Sequence, residues 1–127
     1  MRFLATEECL FIHYRIIEET GVSHGLRDTA LFESAVHRPL AVFGGKGLYP
    51  DVFSKAAALM HSLVRNHPFV DGNKRTATAA ACLFIELNGK RLTATNKELE
   101  RFAVKAAIGN IGVEEMAAWF REKTERA

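Results

Sequence analysis

The segment from Ala77 to Leu87 constrains the fold more than any other part of the chain, because it leaves almost no polar face. Only Thr78 and Glu86 are polar within it, and small alanines recur along it. A helix that is apolar on nearly every side is buried by its neighbours. The segment is about half as long as the roughly 20 residues that a membrane span needs. It therefore predicts a central helix inside a protein core.

The remaining apolar residues follow mainly helical spacing. Asp28, Asp51 and Thr95 are the expected N-caps of three helices, and Thr95 is expected to form a capping box with Glu98. We predict six helices: residues 7–20, 28 to before 39, 51–66, 73–87, 95–109 and 113–125. In the first of these, Thr6 is the expected N-cap, and Leu10, Tyr14 and Ile17 are expected to face the core. The fold class is all-α: one domain over residues 1–127, a compact bundle of about six helices around a buried central one.

Two segments do not follow the helical pattern. Residues 39–50 contain three glycines and two prolines, which exclude a regular helix. That segment is apolar, so we expect it to pack against or pair with another part of the protein. Residues 90–94 are a weaker candidate for a short extended piece.

Composition narrows the class of protein. With 127 residues and 48% apolar content, the chain is long enough for one hydrophobic core. A net charge of +2, with no helix that concentrates basic residues, gives no reason to expect direct nucleic-acid binding. Cys9 and Cys82 lie in apolar stretches and are interpreted as buried free thiols. The N-terminus lacks the apolar run of a secretory signal, so a cytoplasmic protein without membrane association is expected.

Residues 66–75 read Asn-His-Pro-Phe-Val-Asp-Gly-Asn-Lys-Arg and carry the chemistry. The buried fourth helix begins inside this segment, and a helix N-terminus presents unpaired N–H groups and partial positive charge. Gly72 lets the backbone approach a ligand closely. The amides near Gly72, Asn73 and Lys74, with the charges of Lys74 and Arg75, predict a phosphate site.

Two further side chains fit a phosphate-transfer site. Asp71 would repel anions unless a cation lies between them, and Mg²⁺ is commonly held by one carboxylate together with substrate phosphates. His67 can take a proton near neutral pH, as a general base toward a hydroxyl. Ordinary structural roles remain open for each residue: a tight turn with a helix cap at Asp71 and Asn73, and a capping or surface histidine.

The pattern His-Pro-Phe-x-Asp-Gly-Asn followed by two basic residues resembles the signature of the Fic/Doc superfamily, and the chain is most similar to Doc-type toxins. The resemblance extends over residues 25–39, 51–66 and 80–89. It implies a bundle of about six helices. It assigns the general base to His67, the Mg²⁺ ligand to Asp71, the anion hole to Gly72 and Asn73, and a phosphate contact to Arg75.

Two positions distinguish the subclasses within this family. AMP-transferring Fic enzymes usually have Gly where this chain has Lys74, and a second Arg where it has Thr78. The sequence of residues 73–76, Asn-Lys-Arg-Thr, is similar to Doc-type protein kinases. The resemblance therefore implies transfer of the ATP γ-phosphate to a Thr or Ser hydroxyl of a translation elongation factor, with Lys74 and Arg75 holding phosphates. An AMP transferase and a non-catalytic binding module with this fold are the alternatives.

The resemblance also implies partners. Residues 38–49 look like the family's flap, which pairs with the main chain of the target, and Phe43 and Lys46 are its candidate docking residues. An ordinary loop between helices is the alternative for this segment. No inhibitory Ser/Thr-x-x-x-Glu-Gly/Asn motif is present, since the nearest match, at residues 29–34, ends in Ser34. A separate antitoxin that neutralises a growth-arresting toxin is therefore expected.

Overall fold

The computed structural model describes residues 1–21 and 23–127 and is mostly helical. The elements, in chain order, are α1 (Thr6–Thr20), α2 (Thr29–His37), a short 3₁₀ turn (Arg38–Leu40), β1 (Val42–Phe43), β2 (Lys46–Gly47), α3 (Val52–Asn66), α4 (Asn73–Leu87), β3 (Lys90–Leu92), α5 (Asn96–Ile108), α6 (Val113–Glu122) and β4 (Thr124–Arg126). The predicted all-α bundle of about six helices is confirmed. No helix in these two ranges is both long and apolar enough to cross a membrane.

Two helices, α3 and α4, share the centre of the bundle. As predicted, α4 is a core helix, and it packs against α1, α3, α5 and β3. The α3 helix is buried at least as deeply and contacts α2, α4, α5 and α6. The largest fully buried side chains of this core include Phe32, Phe69, Phe84, Phe120 and Leu59. The segment that joins α3 to α4 therefore starts and ends on the most constrained elements of the fold.

The predicted caps at the starts of α2, α3 and α5 are confirmed. Asp28 accepts the amide of Leu31 at 2.9 Å, and Asp51 accepts that of Ser54 at 2.8 Å. Thr95 and Glu98 form the expected capping box, in which each side chain accepts the other residue's amide.

The inward face of α1 was predicted correctly at Ile17 and wrongly at Leu10 and Tyr14. Leu10 and Tyr14 are exposed, and the buried stripe consists of Cys9, His13 and Ile17. Apolar spacing favoured the wrong face because a histidine occupies the centre of the correct one. Thr6 is the first residue of α1 and not its cap, since the Glu8 carboxylate accepts the amide of Ala5 at 2.9 Å.

The C-terminal helix is shorter than predicted. It ends at Glu122 and not at residue 125, because β4 leaves it to pair antiparallel with β3. This pairing confirms the extended piece expected after Gly89 and satisfies backbone groups of both segments. Cys9 is buried and Cys82 half-buried, both are free thiols, and burial raises the pKa of each to about 12.

Residues 41–48 form a β-hairpin, so the apolar glycine-rich segment pairs with itself. Val42 lies opposite Gly47 and Phe43 opposite Lys46. Gly44 and Gly45 form the two-residue turn with φ of 60° and 80°, the combination that such a tight hairpin turn requires. The hairpin is largely exposed, and the Phe43 side chain is 82% exposed.

The base of the hairpin is held on α3 by the guanidinium of Arg38. Its Nε donates to the Tyr49 hydroxyl at 2.8 Å, and one Nη donates to His61 Nδ1 at 2.8 Å and to Ser62 Oγ at 2.9 Å. The same guanidinium lies 5.5 Å from the centre of the Tyr49 ring. His61 must be neutral to accept this bond, and burial, followed by the charges of Arg38 and Arg65, lowers its pKa.

We predict that Arg38→Met lowers the free energy of unfolding by about 1–3 kcal/mol, because three polar groups lose a charged donor. Urea denaturation measures the change. Arg101→Met on the exposed face of α5 is the matched control and is expected to change stability by less than about 0.5 kcal/mol. Equal losses in the two variants would show that the Arg38 contacts do not hold the hairpin.

Candidate active site

The loop between α3 and α4 is closed on itself by the side chain of Asn73. The amide of Phe69 donates to Asn73 Oδ1 at 2.9 Å, and Asn73 Nδ2 donates to the Phe69 carbonyl at 2.8 Å. Both bonds are buried, and Asn73 is only 6% exposed. The Asn73 side chain therefore fixes the shape of the loop, and any contact of this residue with an anion falls to its backbone amide.

His67 ends α3 in the left-handed conformation, with φ of 50° and ψ of 52°. Among the described residues it is the one non-glycine with a positive φ. This conformation lies outside the right-handed helical region, which the following Pro68 disfavours. Such a conformation costs of the order of 1 kcal/mol in a residue with a Cβ, and surrounding contacts must hold it. The His67 residue is exposed at the edge of the loop.

Residues 25–28 bind the backbone of the loop from one side. The amides of Arg27 and Asp28 both donate to the Pro68 carbonyl, at 2.6 and 3.1 Å, and the Val70 amide donates to the Gly25 carbonyl at 2.9 Å. The Arg27 side chain continues this pairing, with Nε on the His67 carbonyl at 2.8 Å and Nη2 on the Asn66 carbonyl at 3.0 Å.

His13 of α1 supports the loop from beneath. Its ring stacks on Phe69 at 3.7 Å, nearly parallel, and its Nε2 donates to the Asp71 carbonyl at 2.8 Å. Burial is the main cause that lowers the pKa of His13. Directly above, Gly72 has φ of 78°, and a Cβ at this position would lie 3.0 Å from Ile17 Cδ1. A larger residue at 72 would be strained by its backbone and by this close contact.

The N-terminus of α4 is open to a ligand. Gly72 is its N-cap and supplies no side-chain cap, and the hydrogen-bond ladder starts where the Thr76 amide donates to the Gly72 carbonyl at 2.9 Å. The amides of Asn73, Lys74 and Arg75 precede this ladder. They meet the condition for an anion site at a helix start, since the Lys74 and Arg75 side chains are exposed beside them.

A cleft of about 370 Å³ brings the predicted residues together. Its walls are formed by Ile17, Thr20, Gly21, His67, Val70, Asp71, Gly72, Asn73, Lys74 and Arg75. All six residues predicted for catalysis, phosphate and metal binding are among them. The Phe43 and Lys46 pair lies in the hairpin and outside these walls.

The cleft can hold a metal ion only if a bound phosphate ligand and water complete the coordination of that ion. Asp71 Oδ1 accepts the Gly72 amide at 2.9 Å, which aligns the carboxylate beside the helix start. No group of three His, Cys, Asp or Glu residues in the described part of the chain lies close enough to hold a metal ion. One carboxylate next to an anion site fits a hydrated Mg²⁺ shared with phosphate oxygens, and does not fit a cage made of protein ligands alone.

Sequence reasoning missed His13 and Arg27, which both hold the loop in place. His13 could have been found from its spacing, because Cys9, His13 and Ile17 lie four residues apart on one face of α1. Arg27 had a weaker signal: it stands one residue before the predicted cap Asp28, in the segment 25–39 that resembles Doc-type toxins. Neither position identifies its partners in the sequence, which lie about 40 residues later for Arg27 and 58 residues later for the hydrogen bond of His13.

Comparison with known proteins identifies the family of the chain. A sequence model of the Fic/DOC family matches residues 3–85, which contain the whole cleft. The chain belongs to the Fic/DOC family. It is 32% identical over 121 residues to protein kinase doc of Escherichia phage P1, covering 95% of this chain and 94% of that protein. It is 54% identical over 69 residues to toxin Doc of Mycolicibacterium smegmatis, covering 54% of this chain and only 53% of that protein.

We predict that the stability of the protein falls as the pH drops below about 6.5, the ordinary pKa of histidine. The pKa of His13 is lowered in the folded chain, so the unfolded chain binds its proton more readily. This stabilising contribution is complete above the unfolded pKa and is lost as the pH falls toward the folded one. Urea unfolding of wild type and His13→Gln between pH 7.5 and 5.5 measures it. A shallower pH dependence in the variant is expected, and an identical one would contradict the prediction.

We predict that Asn73→Asp destabilises the protein by about 1–3 kcal/mol. The variant keeps the shape of the side chain but cannot donate to the Phe69 carbonyl, and it places a negative charge against that oxygen. Thermal and urea unfolding measure the effect. Asn110→Asp, in an exposed position before α6, is the matched control. If both variants unfold alike, the two bonds to Phe69 do not determine the stability of the loop.

Proposed function

We propose that the chain is a Doc-type toxin that transfers the γ-phosphate of ATP to a Thr or Ser hydroxyl of a translation factor. The supporting observation is that His67, Asp71 and the open N-terminus of α4 line one cleft. Two Fic/DOC relatives carry the names toxin Doc and protein kinase doc, and the second aligns over nearly the whole chain. ATP and Mg²⁺ are the proposed ligands of this cleft.

The phosphate end of ATP is bound at the start of α4. The amides of Asn73 and Lys74 point along the helix axis, where partial positive charge favours an anion. The Arg75 guanidinium binds phosphate oxygens through a planar fork, and the Lys74 ammonium adds a point charge. The positive φ of Gly72 lets the backbone bend next to the ligand without a Cβ in the way.

The Asp71 carboxylate would hold Mg²⁺ together with phosphate oxygens. When bound, the ion neutralises charge on the phosphates during transfer. Two hydrogen bonds keep Asp71 in position. The Gly72 amide donates to Asp71 Oδ1, and His13 Nε2 donates to the Asp71 carbonyl. The loop therefore presents the carboxylate before any ligand arrives.

His67 accepts the proton from the target hydroxyl as its oxygen attacks the γ-phosphorus. The new O–P bond forms while the bond from the γ-phosphorus to the bridging oxygen breaks. ADP leaves with the electron pair of that bond, and His67 carries the proton until solvent removes it. Catalysis here depends on position and electrostatics, which the anchored loop supplies.

Two positions favour phosphate transfer over AMP transfer. Lys74 is exposed in the wall of the cleft, where it adds bulk and charge beside the helix start. The Thr78 hydroxyl donates to the Lys74 carbonyl at 2.9 Å, so it is turned back onto the helix and replaces no phosphate clamp. These features support a nucleotide orientation in which the γ-phosphate lies next to His67, the proposed general base.

The hairpin is the proposed docking element for the target. The Leu48 amide donates to the Ala41 carbonyl at 2.8 Å, so Ala41 and Leu48 are a hydrogen-bonded pair. Because such pairs alternate along an antiparallel ladder, the next pair, Val42 and Gly47, is not hydrogen-bonded, and the amide and carbonyl of Val42 point away from β2. A target segment can add to this edge by main-chain bonds. Phe43 and Lys46 share the face opposite to Val42 and are the proposed side-chain contacts.

Regulation is proposed to come from a second protein. A growth-arresting toxin requires neutralisation, and a cognate antitoxin is the proposed partner. The site of action is the cytoplasm, where a translation elongation factor would be the target. Direct nucleic-acid binding is not part of the proposal.

We predict that an elongation factor incubated with Mg-ATP and this protein gains about 80 Da, the mass of one phosphate, and that His67→Ala abolishes the gain. Intact-mass spectrometry measures it. His37→Ala, an exposed histidine at the end of α2, is the matched control and keeps the activity. A gain of about 329 Da would replace the kinase by an AMP transferase at the same site. No gain, with Mg-ATP still bound, would leave a binding module.

A further inference from the structure

Arg27 lies beside the proposed base but outside the cleft. Its guanidinium spans two successive carbonyls at the end of α3, with Nη2 on that of Asn66 and Nε on that of His67. The walls of the cleft are formed by other residues. The hydrogen bonds of the Arg27 side chain therefore reach the cleft only through the backbone that it holds.

The contacts around Arg27 fix three carbonyls in a row. The Arg27 side chain donates to the carbonyls of Asn66 and His67. The backbone amides of Arg27 and Asp28 donate to the Pro68 carbonyl. The carbonyl directions on both sides of a residue set its φ and ψ, and these in turn set the direction of Cα–Cβ. His67 is thus held from both sides in a left-handed conformation that it would otherwise leave.

Electrostatics favours an arginine at this place. The C-terminal end of a helix carries partial negative charge and unpaired carbonyls, and a cation there is stabilising. A planar guanidinium can reach two carbonyls at once, whereas an ammonium acts as a single point charge. Asp28, the next residue, caps α2 through the Leu31 amide at 2.9 Å, so the backbone that carries Arg27 is itself anchored.

We propose that Arg27 is a positioning residue for the transfer reaction, and that it sets the direction of the His67 ring by clamping the carbonyls of Asn66 and His67. The proposal rests on the role of His67 as the base. It makes Arg27 necessary for turnover and dispensable for nucleotide binding. A misplacement of a reacting group by about 1 Å can lower a rate roughly 100-fold.

The first test is kinetic. Arg27→Ala is expected to lower kcat by about 10- to 100-fold, while the affinity for Mg-ATP, measured by calorimetry, stays within about twofold of wild type because the phosphate site is untouched. Arg27→Lys keeps the charge but reaches only one carbonyl, so it is expected to remain impaired. Arg101→Ala, an exposed arginine of α5, is the matched control and keeps wild-type kcat.

Three kinetic outcomes would overturn the proposal. A parallel loss of Mg-ATP affinity in Arg27→Ala would make Arg27 a phosphate-binding residue. Full activity in Arg27→Lys would mean that charge alone matters. A kcat that is unchanged per folded molecule, with a lower melting temperature, would leave Arg27 with a purely structural role.

The second test needs no activity and separates this proposal from that of the function. The ring Cε1–H resonance of His67 is followed by NMR in ligand-free wild type and in Arg27→Ala. We expect it to shift and broaden in the variant, while that of His37 stays in place. An unmoved His67 resonance would overturn the proposal. If the wild type transfers no group to any target, the proposed function fails, and this measurement still decides whether Arg27 fixes His67.

Discussion

The exchange of two hydrogen bonds between the Asn73 side chain and the backbone of Phe69 is the constraint on which the site depends. It closes a five-residue turn in a buried place, where a polar group without a hydrogen-bond partner destabilises the folded protein. The closed turn puts Gly72 in its left-handed conformation at the cap of α4. As a result the first amides of α4 face a cleft and not another side chain.

The loop is supported from outside on two further sides, and both supports come from early in the chain. His13 lies under the Phe69 ring and holds the Asp71 carbonyl, while residues 25–28 pair with the backbone on the other side. The two helices that the loop joins are the central ones of the bundle. The loop that carries Asp71 and His67 is thus attached at both ends to the core of the bundle.

The sequence predicted the secondary-structure elements, and which residues share the candidate cleft, better than it predicted contacts. Helix starts followed from local caps such as Asp28, Asp51 and Thr95, and the site followed from ten adjacent residues. Two of the three residues assigned to the inner face of α1 were wrong, because the buried His13 counts as polar in a periodicity analysis although its bond to the Asp71 carbonyl satisfies it. The end of α6 was predicted wrongly because the pairing of β4 with β3 joins residues more than 30 positions apart. Arg27 binds carbonyls about 40 positions away, and Arg38 binds side chains 11 to 24 positions away, which no local pattern reveals.

The proposed reaction depends on phosphate binding at the open start of α4. A titration of ¹⁵N-labelled protein with Mg²⁺ and a non-hydrolysable ATP analogue tests it most directly, with amide resonances followed by NMR. A second groove, between α5 and α6 and lined in part by the stacked rings of Phe102 and Trp119, is the internal comparison. We expect the largest shifts on the amides of residues 72–75. Shifts that are largest along the α5–α6 groove would contradict it.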